Sequence, residues 1–552
     1  MIKVRQTHNQ IIVMNGLRTN LHYRYPIYNI DYNYVIYYIF FERKIFMKEP
    51  KIVVKHSRIE INNYDIGDAP QLEYFFSVWD PMYHRSYPKG MEYDNEKRQL
   101  RLPRGIDVSY VSNIFMVEPY MDITYDPYIN TQPIPIKYLA KDERQIKILK
   151  FILGQNEYKY TEMKSQLCVN STTGSGKTFT TVASICYSGS RAIIITSNLN
   201  WLNQWKERIM EYTPLTEKDI YMISGTGTIN KLLCRNPLDY QIFLVSHSTI
   251  KSYGDKNGWD KVEDLFSYLQ CSMKIYDEAH LYFDNMCKID FHSNTRKTLY
   301  LTATPKRSNK EEDAIYQLYF KNVPSISLFD ENTDPHVNYV SLHFNSHPTP
   351  MDIQRCKNQY GFDRIKYVSY LTERPNFIKM LIIIIDMVLS KDGKVLIYIG
   401  TNDGILKVRD AIVSHMPFME NYIGIYTSLV KENKEENLKK KIILSTTKSC
   451  GAASDISDLK VTINLAEPFR SEVLAQQTLG RCRADNTLYF DIVDQGFYFT
   501  KKYFEAKRPV FSRYAKNCKN IIITDEEIEQ RYNEIVDLYT NKQILCMQVF
   551  DE

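Results

Sequence analysis

With 552 residues the chain is too long for one compact unit, and at roughly 100–200 residues per domain three or four domains are expected. An apolar content of 44% beside 24% charged residues excludes both a disordered chain and a membrane-embedded one. Seventy Lys and Arg against sixty-five Asp and Glu give only +5, so any nucleic-acid surface must be built locally and not by bulk charge.

The apolar run Tyr34–Phe41 is far shorter than the ~20 residues that cross a bilayer, and Glu42, Arg43 and Lys44 follow it. Met47 opens a stretch that reads as a natural start, which makes residues 1–46 a candidate disordered extension. Residues 52–61 alternate as a strand does, 72–78 carry aromatics in a helical pattern, and Leu100 to Gly105 closes on a turn. A small α+β accessory domain, a nucleic-acid-binding one, is expected over 47–130. Prolines in 130–136 mark a linker.

Short β-branched runs then alternate with helical stretches. Residues 192–196, 241–245, 273–276 and 298–301 make one set of buried parallel strands, and 395–399, 442–445, 461–465 and 488–493 a second. The expected fold class is α/β, with two tandem doubly wound parallel-sheet domains over 131–330 and 331–500 and a helical extension over 501–552. The mixed-sign run 431–441 reads as a solvated helix face. Ten cysteines are scattered without a Cys-x-x-Cys pair, which argues against a zinc or iron–sulfur site and for reduced thiols in the cytoplasm.

Between the apolar 167–169 and a helical stretch from Phe179 stands Asn170-Ser-Thr-Thr-Gly-Ser-Gly-Lys-Thr178. Thr173, Gly174, Ser175 and Gly176 suit a backbone that wraps a triphosphate against amide N–H groups and a helix N-terminus. Lys177 would reach the β/γ-phosphates, and the Thr178 hydroxyl would ligate Mg2+. Ser171 stands where the general pattern has glycine. Asp277 and Glu278 end a strand, where ligands of open α/β sheets bind, and two adjacent acids there are costly to bury without a task. Asp277 suits magnesium, and Glu278 suits the base that orients the attacking water of ATP hydrolysis.

Asp277-Glu-Ala-His280, Thr302-Ala-Thr304 and Gln477-Thr-Leu-Gly-Arg-Cys-Arg483 resemble, in order, the motifs of superfamily-two DEAH-box-type helicases. Further matches put the resemblance over about 140–495. Arg144-Gln145 is similar to the glutamine motif that reads adenine, Ser197 to Trp205 to motif Ia, Ser246 to Thr249 to motif Ib, Gly400-Thr401 to motif IV and Thr446 to Asp455 to motif V. The resemblance implies two RecA-like domains with ATP between them, and arginines of the second reaching the γ-phosphate. Gln477, Arg481 and Arg483 are the residues so implied, although Ala484 occupies the last position of the family's Q-x-x-G-R-x-x-R pattern and Arg483 comes one residue early. Ala453 replaces a glycine before Asp455, the further nucleotide-binding candidate. His280, Thr302 and Thr304 resemble coupling residues, with local loop capping as the plainer reading. Ser197, Asn198, Ser246, Thr249, Thr401 and Thr446 are the implied nucleic-acid contacts.

The layout Arg58–Ile61, Leu72–Phe76 and Leu100–Gly105 resembles the small domain of phage UvsW-type branch-migration helicases. With Arg374-Pro-Asn376, it implies a viral or phage helicase that acts on single-stranded or branched DNA in the host cytoplasm, alongside replication or recombination proteins. A poxvirus-type transcript-release helicase or an RNA helicase is the runner-up, and a nucleic-acid-stimulated ATPase subunit of a larger nuclease or packaging complex is the alternative of another class. After the second domain, Lys501, Lys502, Tyr503, Phe504, Lys507, Arg508, Arg513, Tyr514, Lys516 and Lys519 interleave cations and rings. They suit a strand-tracking surface or an amphipathic helix packed on the second domain.

Overall fold

The computed structural model describes residues 49–80, 84–123, 132–171, 176–197, 199–302, 307, 310–328, 337–359, 361–427, 430, 434–450, 456–482 and 487–550. For 80, 434, 435, 473, 477 and 540–550 it describes the backbone alone. The extension expected over 1–46 lies outside these residues.

In the small N-terminal domain, β1 (Lys51–Val54), β2 (Arg58–Asn62), β3 (Glu92–Asp94), β4 (Gln99–Pro103) and β5 (Tyr120–Met121) form a sheet in the order β3-β4-β2-β1-β5. The alternating stretch 52–61 is therefore two strands, turned where Lys55 N donates to Arg58 O at 2.9 Å. The aromatic stretch is helical only over Pro70–Phe75, after which Ser77–Asp80 pairs antiparallel with Arg85–Pro88.

This domain is not a loose attachment. Its buried Ile52, Val54, Ile59, Leu100 and Leu102 belong to one apolar core with Phe243, Tyr253 and Phe266 of the next domain. The seam carries buried charge as well. Arg58 donates to Glu263 at 2.6 Å and to the Ser293 carbonyl at 3.1 Å, while His292 stands 2.7 Å from Glu92 and Lys89 bonds Glu312 at 2.6 Å. A Cβ on Gly105 would collide with the Tyr319 carbonyl, so the two backbones meet directly there. Continuous apolar burial at about 25 cal/mol per Å2 makes separation of the two units expensive.

The first α/β domain is a parallel sheet of β6 (Gln166–Ser171), β7 (Ala192–Thr196), β8 (Ile220–Ile223), β9 (Ile242–Ser246), β10 (Met273–Tyr276), β11 (Lys297–Thr302) and β12 (Ser325–Leu328), ordered β8-β9-β7-β10-β11-β6-β12. Helices α1 (Glu143–Leu153), α2 (Lys177–Ser188), α3 (Leu199–Tyr212), α4 (His247–Asn257) and α5 (Phe283–Phe291) flank it. Its central strands are covered on both faces, which is why they read as unbroken apolar runs. Lys274 in β10 is the exception. Fully buried, it pairs with Asp290 of α5 at 2.6 Å, and Tyr276, Tyr300 and Tyr319 donate their hydroxyls to the same carboxylate at 2.7, 2.6 and 2.6 Å.

The second α/β domain repeats the plan with β13 (Val337–Phe344), β14 (Lys394–Ile399), β15 (Ile423–Tyr426), β16 (Ile442–Ser445), β17 (Leu459–Ala466), β18 (Thr487–Asp494) and β19 (Asn517–Ile522), ordered β15-β16-β14-β17-β18-β13-β19 and parallel throughout. Its helices include α6 (Pro375–Leu389), α7 (Glu472–Leu479), α8 (Tyr498–Tyr514) and α9 (Asp525–Phe550). The extension expected over 501–552 is mainly helical, but its β19 completes the second sheet, and α9 packs on α6 with Ile528 and Ile535 buried and Tyr539 donating to Asp386 at 2.7 Å.

Helix α8 packs as an amphipathic helix. Phe504, Lys507 and Phe511 are buried, and Lys507 bonds both Asp491 oxygens at 2.9 and 2.8 Å, so Phe504 and Lys507 are withdrawn from any strand-tracking surface. Lys501, Lys502, Arg508 and Arg513 remain exposed. Among the described residues, no helix is long and apolar enough to cross a membrane, and the nine cysteines are free thiols.

Candidate active site

The strand-end carboxylates and the start of α2 meet in a cleft of about 1100 Å3. Its lining comes from the first α/β domain, with Leu438 as the contribution of the second among the described residues. Gly176 caps α2 at φ +89°, in the left-handed region where glycine carries no steric penalty. A Cβ there would also collide with the side-chain amide of Gln145, so the glutamine lies directly against the phosphate-loop backbone. Gln145 is held in turn, accepting from Lys141 N at 3.0 Å while its own N–H donates to Asp142 at 2.9 Å. Thr173, Gly174 and Ser175 lie outside the described residues.

Lys177 is buried, and its ammonium bonds the Ser171 carbonyl at 2.7 Å. Thr178 lines the same cleft. A hydrogen bond from Asp277 N to Ile195 O at 3.0 Å carries the β10–β7 pairing one step beyond Tyr276. Burial, and then the neighbouring Glu278 charge, push the Asp277 carboxyl up, while an indole N–H from Trp205 at 2.8 Å and the Lys177 charge oppose the rise. Glu278 adopts φ +50°, a left-handed conformation that costs a non-glycine residue about 1–3 kcal/mol and that clusters at functional sites. Its Oε2 is buried without a hydrogen-bond partner among the described residues. Leaving such an atom unsatisfied costs about 1–3 kcal/mol or more, so a water, ion or ligand belongs beside it. Two carboxylates, a hydroxyl and an ammonium at a helix N-terminus form a donor set that fits a magnesium–triphosphate.

His280 and Thr302 come together as expected, with His280 Nδ1 2.9 Å from the Thr302 hydroxyl and 3.4 Å from Glu278 Oε2. Burial, then the Arg307 and Lys177 charges, push the His280 ring down to about 3, so it is neutral at pH 7 and acts as a hydrogen-bonding spacer. Arg307 donates to the His280 carbonyl and pairs with Glu312 at 2.9 Å, a contact that the sequence reading did not single out. Thr304 lies outside the described residues.

The nucleic-acid candidates are mostly engaged in local structure. Ser246 caps α4, accepting from Thr249 N at 3.2 Å, and the two hydroxyls stand 2.9 Å apart. His247 between them stacks on Tyr276 and Tyr282 at 5.6 and 5.2 Å, tying this segment to the strand that bears Asp277. Thr401 caps a helix through Gly404 N at 3.0 Å, and Thr446 accepts from Ser449 N at 3.0 Å. Ser197 is buried with its hydroxyl unpartnered among the described residues. Asn198, Asp455 and Arg483 lie outside the described residues, as does the Gln477 side chain.

Arg481 follows α7 and is buried inside the second domain, where its charge opposes the rise that burial imposes on the Tyr398 phenol. It does not line the cleft. Two further sets of residues line the cleft, the second of them within the stretch similar to motif Ia. Tyr138, Phe179 and Tyr212 form an aromatic wall, with Tyr212 edge-on to Phe179 at 5.4 Å and to Tyr138 at 6.0 Å. Asn200, Trp201 and Trp205 present one face of α3.

Comparison with known proteins agrees with this geometry. The family model described as "Type III restriction enzyme, res subunit" matches residues 139–307. A putative DNA 3'-5' helicase Rad25 of Haloarcula marismortui is 25% identical over 175 residues, 31% of this chain and 25% of that protein. Transcript termination protein A18 of Yaba monkey tumor virus is 28% identical over 141 residues, 25% of this chain and 27% of that protein. The chain thus spans about a quarter of the length of the curated relatives it matches. Among solved structures, Mss116p bound to single-stranded RNA and AMP-PNP aligns over 72% of this chain and 78% of its own at 13% identity with TM-score 0.50, a likeness of fold. Two seven-stranded parallel sheets in series, a phosphate-loop lysine and the Asp277–His280 sequence at the end of β10 make the chain similar to superfamily-two helicases, and the family model covers the residues of its first α/β domain that carry the lysine and the carboxylates.

Proposed function

We propose that this chain is an ATP-dependent DNA helicase or translocase that remodels forked or branched DNA. The observation that carries the ATPase half is the convergence of Lys177, Thr178, Asp277 and Glu278 on one cleft. Lys177 would hold the β/γ-phosphates, Thr178 and Asp277 would hold Mg2+, and Glu278 would orient the attacking water and take its proton. The metal supplies charge neutralisation of the phosphoryl oxygens. Gln145, set against the loop beside an aromatic wall, suits the adenine end of the ligand.

Arg481 and Arg483 are the proposed fingers. As Arg481 is buried within the second domain and away from the cleft, it would reach a γ-phosphate only through a change in that domain's position. Arg481→Ala is expected to lower nucleic-acid-stimulated turnover about 10³-fold or more, with ATP affinity kept within severalfold. If the variant instead loses thermal stability while its folded fraction turns over normally, Arg481 is structural. A matched Arg483→Ala tests the shifted register.

The DNA half rests on the likeness to a relative named as a DNA 3'-5' helicase and on the resemblance of the small domain to that of UvsW-type enzymes. The likeness to a viral transcript termination protein favours the transcript-release alternative. Motor domains that step along a strand hold its sugar–phosphate backbone, so binding should ignore sequence and weaken steeply with salt. Opening duplex opposes stacking of about 0.6–2.2 kcal/mol per base-pair step, whereas exchanging pair for pair at a junction is nearly balanced. ATP-dependent activity should therefore be greater on forked or four-way DNA than on blunt duplex. Strong unwinding of RNA duplexes with none on branched DNA would overturn this half alone.

Deleting residues 47–130 is a poor test of the small domain, because it opens the shared core. Replacing its exposed Tyr74 and Trp79 by alanine is the cleaner one. Each ring that stacks on a base contributes about 1–3 kcal/mol, and the loss should appear on branched DNA.

A further inference from the structure

Trp205 on α3 donates its indole N–H to Asp277 Oδ2 at 2.8 Å, and its ring is only 3% exposed. Packing alone does not call for this bond. Leu202 and Ile209 fill the same side of α3 with hydrocarbon, and a buried indole is satisfied by any acceptor. Here the acceptor is one oxygen of the carboxylate assigned to magnesium, which lines the cleft and is held by the Glu278 backbone as well as by the indole. Five residues earlier, about 7.5 Å along the same helix, Asn200 Nδ2 donates to the Tyr426 hydroxyl of the second α/β domain at 3.3 Å. One helix thus touches the second domain near its N-terminus and the carboxylate from its middle.

We infer that Trp205 is a positioning residue that orients Asp277 toward magnesium–ATP, and that α3 carries the position of the second domain to it through Asn200 and Tyr426. This rests on the reading of the cleft as a magnesium–ATP site. Residues that hydrogen-bond a metal ligand from outside typically change metal affinity about 10–100-fold when removed. The indole bond is therefore a route by which domain closure, and with it nucleic-acid binding, tunes the site.

The test is equilibrium binding of a fluorescent ATP analogue to the full chain and to Trp205→Phe, titrated with Mg2+ and read without turnover. The variant should need about tenfold more Mg2+ for half-saturation, with metal-free affinity and thermal midpoint close to those of the unchanged chain. An unchanged magnesium requirement in folded Trp205→Phe overturns the role of Trp205 only. A parent chain that binds no nucleotide overturns the ATP reading and this inference with it. Should Trp205→Phe not fold, labelling with 5-fluorotryptophan gives four signals for the four tryptophans, assigned by replacing Trp79, Trp201 and Trp259 in turn with Phe. The remaining signal should shift when Mg2+ is added to the nucleotide-bound chain, and Asn200→Ala should reduce that shift. A Trp205 signal that ignores Mg2+ overturns the proposal.

Discussion

Glu278→Gln should bind ATP and nucleic acid as the unchanged chain does while its turnover falls by about 10²–10⁴-fold, the range that a positioned general base contributes. The glutamine amide keeps the size of the carboxylate and so preserves the folded loop, including the left-handed backbone at this position. It cannot accept the proton of the attacking water. The unpartnered Oε2 points to the same role, since a buried carboxylate oxygen left free by the protein is available to a water in the cleft. Lys177→Ala makes a different pattern. Removing a buried ammonium that bonds the loop carbonyl of Ser171, and that is proposed to hold the phosphates, should weaken nucleotide binding together with turnover. Stopped-flow binding beside steady-state hydrolysis separates the two. Turnover in Glu278→Gln within about threefold of the unchanged chain would remove Glu278 from its role.

Asp290→Ala should cost about 3–5 kcal/mol of stability, because it leaves the Lys274 ammonium charged and alone in the core and strips an acceptor from three tyrosine hydroxyls. The same burial already pushes the Lys274 ammonium below its ordinary range. Lys274→Met combined with Asp290→Asn should recover much of the loss, since no charge then remains and the amide oxygen still accepts from the hydroxyls. Urea unfolding followed by circular dichroism gives both values. Since Tyr276 leads directly into Asp277, the single variant should also lose ATPase activity at temperatures where it remains folded. A loss below about 1 kcal/mol would mean that the pair is not essential to this core.

Most of the motor was legible without coordinates. Buried parallel strands repeat a simple pattern, since both faces are covered and the side chains on each are apolar, and all eight strands anticipated in the two sheets are present with ends shifted by a residue or two. The strands missed were short or carried polar residues, as in Ile220–Ile223 and Ser325–Leu328, or lay in a region already read as helical, as in Asn517–Ile522. The charged helix from Lys501 onward gives the reason for another miss. A lysine at helical spacing looks solvated until a partner such as Asp491, distant in sequence, is brought against it.

The sequence by itself determined two tandem α/β domains and the candidate phosphate-loop and Asp277–His280 motifs, because phosphate and magnesium chemistry permits few residue types at few spacings and the residues of each motif lie close together along the chain. Tertiary structure alone decided what depends on contacts between distant segments. The small domain shares its core with the first α/β domain, Arg481 is buried and does not line the cleft, and an indole on α3 holds Asp277. Burial and hydrogen-bond partners across more than seventy residues leave no local pattern, since a tryptophan at a helical apolar position reads the same whether its N–H meets a carbonyl, a water or a carboxylate of the cleft.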